Sequence, residues 1–160
     1  MDVRLFKNIT HGVYVIGVMD SGVRNAFTAA WVMQVSFDPL MLAFSINPKH
    51  YSYQLLRSGG VCTVNVLGRN QMKLAEHFGR PLQGDKMAFY QWRRAQSGAP
   101  YLEDALAYYD CSVSHYCHAG DHELVVCHIT DAVSLNNGVP MLYCETGEMD
   151  KSTELYSDGS

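Results

Sequence analysis

The body of this chain reads mainly as strands, apolar runs separated by turn residues. GVYVIGVMD, residues 12–20, is rich in β-branched side chains. Ser21-Gly22 turns it into NAFTAAWVMQVSF, residues 25–37, so the pair predicts a hairpin. Asp38-Pro39 breaks that second strand. MLAFSIN, 41–47, is short and almost continuously apolar, the pattern of a buried strand, and Pro48 ends it. VCTVNVL, 61–67, predicts another. ALAYYDCSVSHYC (105–117) and HELVVCHITDAVSL (122–135) flank Ala119-Gly120-Asp121 as a long hairpin, and PMLYCE, 140–145, predicts a last short strand.

A helical rhythm appears twice. HYSYQLLRSGG, 50–60, places Tyr51, Leu55 and Leu56 on one face before a double glycine. NQMKLAEHFG, 70–79, does the same with Met72, Ala75 and Phe78, and Gly79 stops it. Residues 80–104 hold Pro81, Gly84, Gly98 and Pro100 and predict a long, partly ordered excursion, a lid or a dimer arm. The polar stretch GEMDKSTELYSDGS predicts a tail that frays or docks on a partner subunit. About seven strands and two or three short helices make a mainly β fold. Strands at this density favour an antiparallel barrel, which removes sheet edges by closing them. Residues 1–147 are expected to form the domain and 148–160 the tail.

Composition narrows the classes. A chain of 160 residues favours one domain around one core, and 48% hydrophobic against 18% charged residues is a globular balance. The net charge is −4 and no basic run is longer than Arg93-Arg94, so no nucleic-acid footprint is expected. No segment has the length and apolarity of a membrane span. MDVRLFKNITHG lacks the pattern of a signal peptide, and five cysteines are an odd number, so reduced thiols and a cytoplasmic location are expected.

The common motifs fail. There is no GxGxxG after a strand, no GxxxxGK[ST] and no GxSxG. HYCHAGDHEL, 115–124, is crowded with imidazole and thiol, but zinc needs four converging ligands. On a strand Cys111, His115 and Cys117 share a face yet lie roughly 7 to 20 Å apart, so no bound metal is expected. His122 differs from its neighbours because Gly120-Asp121 holds it at a turn. It is either a solvent histidine or a ring at a barrel rim.

Other positions carry two readings each. Thr28, Ala29 and Ala30 put small side chains in mid-strand, for close strand packing or for a planar ligand against the backbone. Ser45, Asn47, Lys49 and Ser52 surround a helix start near His50, which serves a simple cap or a phosphate. Asn65 inside VCTVNVL needs hydrogen-bond partners, from protein or ligand.

In order along residues 10–145, NAFTAAWVMQVSFDP, SINPKHYSYQLL, VNVL, LAEHFG, DKM, SGAPYLEDALAYYDCSV and GDHELVVCHI together resemble the flavin reductase-like family. That family's fold is the FMN-binding split β-barrel. The resemblance implies a homodimer with flavin, FMN or FAD, near the subunit interface, and NADH or NADPH as electron donor. By position it implies Thr28, Ala29 and Ala30 along the isoalloxazine with Asn25 nearby. It implies Ser45, Asn47, Lys49, Ser52 and Tyr53 at the ribityl and phosphate groups, and Asn65 and Val66 on a strand against the flavin. His122 matches the histidine of the family's GDH turn, where it would orient the nicotinamide beside the flavin. The chain departs from the family pattern at Pro39-Leu40, Cys62 and Cys127. The implied activity is an NAD(P)H:flavin oxidoreductase, supplying reduced flavin to a separate monooxygenase or another electron acceptor protein. A flavoredoxin-like electron carrier that keeps its FMN is the alternative, and a nonredox metal-binding barrel a weaker one.

Overall fold

A right-handed twist carried over seven antiparallel strands brings the two ends of one sheet face to face. The computed structural model describes residues 1–81 and 84–156. The main sheet contains β1 (Tyr14–Asp20), β2 (Val23–Ala29), β3 (Val32–Phe37), β4 (Leu40–Ile46), β5 (Val61–Val66), β8 (Ala107–Ala119) and β9 (His122–Ser134). Their order is β2-β1-β5-β8-β9-β4-β3. The strands at the two ends, β2 and β3, are consecutive in the chain. The link Ala30-Trp31 therefore spans from one edge of the sheet to the other, and Ser45 N donates to Trp31 O at 3.0 Å to fasten it. A mainly β, antiparallel split barrel results.

The pattern of 25–37 predicts one strand, and the structure divides it. Thr28 and Ala29 still pair with Val15 and Tyr14 of β1, and the chain leaves that edge at Ala30-Trp31. PMLYCE likewise forms no strand. Pro140 and Leu142 make isolated bridges to Gly68 and Gly12, and Tyr143–Glu145 is a 3₁₀ turn.

Two helices cap the barrel. α1 (Tyr51–Gly59) ends on Gly60, whose φ of 70° is the left-handed value glycine adopts without strain. Its buried face is Ser52, Leu55 and Leu56, while Tyr51 is exposed, one position away from the face the spacing predicts. α2 (Met72–Gly79) buries Leu74, Ala75 and Phe78. The excursion at 80–104 is largely ordered. A hairpin of β6 (Trp92–Arg94) and β7 (Pro100–Leu102) lays β7 over β1 and β5, and a 3₁₀ turn (Lys86–Phe89) packs against β2. Gly17 permits this, because a Cβ there would collide with Pro100 O. Leu82 and Gln83, within that excursion, lie outside the described residues.

The core has two parts. Ile16, Val18, Phe44, Leu56, Val64 and Val125 fill the barrel. Val15, Leu67, Phe78, Met87 and Leu102 pack beneath α2 and the hairpin. Residues 143–156 fold back on the N-terminal segment of their own chain. Tyr143 Oη donates to Asp150 Oδ2 at 2.5 Å and has Ser152 Oγ at 3.1 Å, and Phe6 stacks on Tyr156. Residues 157–160 of the expected tail lie outside the described residues.

Candidate functional site

Where the sheet's two edges meet, the Ala30-Trp31 link borders a cleft. Its central lobe, about 530 Å³, is lined by Thr28, Ala29, Ala30 and Trp31 from one edge and Ser45, Ile46 and Asn47 from β4. Asp121 and His122 reach it from the β8–β9 turn, and Tyr143, Asp150, Ser152 and Tyr156 close the remaining side.

A second lobe of about 470 Å³ adjoins it and shares His50 and Gly79 with the first. Its character is cationic. Arg24, Lys49, Arg80 and Lys86 all line it, with Asn25 and Ser52 between them. Ser52 is buried in the first turn of α1, and Asn25 Nδ2 donates to its Oγ at 3.0 Å. Asn47 Oδ1 accepts from Lys49 N at 3.0 Å, which fixes the turn into the helix. Burial pushes the pKa of His50 below its ordinary value, and the neighbouring charges of Lys86 and His122 push the same way. Burial also lowers Lys86. Among the described residues Asp85 is the one carboxylate in its lining and Glu76 pairs with Arg80 at 3.6 Å, so the four cations leave the lobe with an excess of positive charge.

His122 stands at the start of β9, where Gly120, with φ of 65°, makes the tight turn. Its Nδ1 lies 2.7 Å from Asp121 Oδ1. A carboxylate only accepts, so Nδ1 carries the proton and Nε2 is left for the cleft. The imidazole beside Asp121 holds that carboxyl below the usual carboxylate range. Trp31, 47% exposed, packs against the imidazole with ring centroids 5.2 Å apart.

Of the residues singled out in the sequence, Asn25, Thr28, Ala29, Ala30, Ser45, Asn47, Lys49, Ser52 and His122 come together along the two lobes. Tyr53, Asn65 and Val66 do not. Tyr53 packs edge-on against Tyr116 in the barrel core. Asn65 is fully buried, and its amide is consumed by protein. Nδ2 donates to Val15 O at 2.8 Å and Thr63 Oγ1 at 3.0 Å, while Oδ1 accepts from Leu102 N at 2.9 Å. Val66 sits between Tyr14 and Ala107 in the sheet.

Thr28 also has a structural task, since its Oγ1 donates to Ala75 O at 2.6 Å. The residues that sequence reasoning missed are Trp31, His50 and the cations Arg24, Arg80 and Lys86. They lie far apart in the chain, and only the barrel's closure gathers them. The histidines and cysteines around His122 disperse. His115, Cys117 and His118 face solvent, and Cys111 and Cys127 are buried with Cys62.

A family model for the flavin reductase-like domain matches residues 6–151. The chain belongs to this family. Within it, an FMN reductase (NADH), RutF 1 of Methylorubrum extorquens, is 33% identical over 140 residues, 87% of this chain and 70% of that protein. Among solved structures, the NADH:FAD oxidoreductase of Streptomyces globisporus in complex with NAD and FAD fragments superposes with a TM-score of 0.82. The identity there is 26%, over 89% of this chain and 86% of that one. BorF, the flavin reductase component of a bacterial two-component tryptophan halogenase, gives a TM-score of 0.81 and 25% identity over 89% and 91% of the two chains. The cleft of this family member thus lies in a frame that it shares with flavin reductases.

Proposed function

We propose that this protein is an NADH:flavin oxidoreductase that binds FMN along the two lobes. The observation that carries the reading is their contrast. The central lobe offers small side chains and exposed backbone at Thr28, Ala29 and Ala30, which suits a flat ring. The adjoining lobe offers Arg24, Lys49, Arg80 and Lys86, which suits a phosphate. A ligand with a planar ring at one end and a phosphate at the other fits both. The buried hydroxyl of Ser52 and the first turn of α1 add neutral donors at the phosphate end.

A flavin held by the residues of these two lobes would supply the acceptor for a hydride from the reduced nicotinamide. The chain's part is to bind and orient. His122, its Nδ1 held by Asp121 and its ring braced by Trp31, presents Nε2 to the nicotinamide carboxamide. Holding both rings in register supplies much of the rate gain, and the step itself needs no proton from the protein.

A second copy of the chain and a partner protein complete the reading. β3 is an edge strand with Met33, Val35 and Phe37 all exposed, Phe37 at 89%. An uncovered apolar edge of this kind pairs or aggregates unless another chain covers it, which supports a homodimer formed beside the cleft. BorF is a reductase component of a two-component system, and reduced flavin here would pass to an oxygenase in the same way.

The test is direct. The purified protein is mixed with FMN and NADH under anaerobic conditions, and the flavin's visible absorbance is followed. Catalytic bleaching is expected; a chain that binds FMN but leaves it oxidised would overturn the proposal.

A further inference from the structure

A third lobe opens from the cleft on the far side of Trp31. It occupies about 330 Å³ between the 3₁₀ turn Val3–Asn8 and the C-terminal segment, within the size range of small-ligand sites. Trp31, Tyr143, Ser152 and Tyr156 border both it and the central lobe, whereas it shares no lining residue with the cationic lobe. The three cavities therefore follow one another in a row, with the central lobe between the other two.

We propose that this third lobe binds the adenosine half of the reduced dinucleotide, so that the donor spans the central and third lobes while the flavin spans the central and cationic ones. The inference rests on the flavin reductase reading above. Position gives the first argument. A flavin whose phosphate lies in the cationic lobe directs its tail away from Trp31, and the adenosine of an FAD would leave by that same end. The third lobe is then open only to the donor.

Chemistry gives the second argument. Phe6 and Tyr156 stack with centroids 6.1 Å apart and planes 28° from parallel, too close to admit a base between them. Phe6 is nonetheless half exposed, and with the indole of Trp31 on the same lobe it offers a face on which a purine can stack. Lys7 Nζ is held at this lobe by Gly147 O and lies 3.9 Å from Glu148 Oε1. Glu148 Oε2 accepts from Thr153 Oγ1 at 3.1 Å. A carboxylate with spare lone pairs accepts from ribose hydroxyls, and the ammonium beside it suits a pyrophosphate.

Two measurements test the proposal. In the first, 5′-AMP is titrated into the FMN-loaded protein by calorimetry. Binding without release of FMN is expected, weakened roughly tenfold by Phe6→Ala and also weakened by Glu148→Gln. Absence of binding, or displacement of FMN by AMP, would overturn the third-lobe assignment. In the second, NADH is compared as donor with reduced nicotinamide mononucleotide, which lacks the adenosine. The wild type should show the lower KM for NADH, and Phe6→Ala should remove most of that advantage while leaving the mononucleotide's kinetics unchanged. Equal KM values in the wild type, or equal slowing of both donors in the variant, would overturn it. If neither donor bleaches bound FMN, the reductase reading fails instead, and the AMP titration still decides the lobe.

Discussion

His122 and Asn65 show how a residue's neighbours decide its task. Both stand in strands, both are polar, and both resemble family positions near the flavin. His122 keeps one ring nitrogen on Asp121 and has the other toward the cleft, a geometry that serves a ligand. Replacing it with alanine should lower the rate of flavin reduction by NADH roughly ten- to hundredfold, since misplaced rings lose much of their effective molarity. FMN affinity should change little, and stopped-flow reduction beside fluorescence titration separates the two. Asn65 instead spends all its hydrogen-bonding capacity on Val15, Thr63 and Leu102, and so joins β1, β5 and β7. Asn65→Ala strands buried polar groups on these partners and should cost about 2–4 kcal/mol of stability. Denaturant unfolding measures this. An unchanged midpoint with a large loss of FMN affinity would return Asn65 to the flavin.

At the scale of elements, the informative one is β3. Its neighbours in sequence, β2 and β4, bury most of their C-terminal halves, but β3 exposes Met33, Gln34 and Val35 consecutively and Phe37 beyond them. A strand that is apolar, terminal in its sheet and uncovered on both faces is an interface in waiting. Val35→Lys should convert the proposed dimer to monomer without lowering secondary structure, as read by sedimentation and circular dichroism. A wild-type chain that sediments as a monomer would reject the interface. The same strand marks how far the sequence was legible. Apolar runs and turn residues locate β1, β4, β5, β8 and β9 within a residue or two, because each buries side chains in the core of its own chain. They join β2 to β3, since no local signal distinguishes a strand that continues from one that leaves for the other edge. They also leave 80–104 as an excursion, because strands of three residues such as β6 and β7 are too short to express a period. Thr28, Ala29, Ala30, Ser45, Asn47, Lys49, Ser52 and His122 were legible as candidate site residues because turns, a helix start and small side chains mark them, and Asn25 through the family resemblance alone. Arg24, Arg80 and Lys86 were not, for a lone cation on a strand or at a turn carries no sign of which cavity it will face.

For the whole molecule, the gathering of those cations sets a pH response. His50 and His11 both have pKa values below the ordinary 6.5, each chiefly because burial disfavours the charged ring. The unfolded chain then binds more protons than the folded one as pH falls through 6.5, so stability should drop on acidification and be fully present only above that value. At His50 the Lys86 charge adds to the burial, and an anion in the cationic lobe opposes both. FMN should therefore raise the His50 pKa, and by reciprocity His50 should favour tighter binding as pH falls through the range in which the ring takes up its proton. Riboflavin, which has the ring and ribityl chain but no phosphate, should lack this dependence. The phosphate's own protonation weakens binding on acidification, and His50→Gln should leave only that opposing part. Thermal melts with and without FMN complete the test, because the stabilisation by ligand should grow toward lower pH while the free protein weakens. A flavin affinity that is flat with pH, or equally steep for riboflavin, would mean that the phosphate does not lie among Arg24, Lys49, Arg80 and Lys86. The proposed direction of the flavin in the cleft would then reverse, and with it the reason for assigning the lobe beyond Trp31 to the donor.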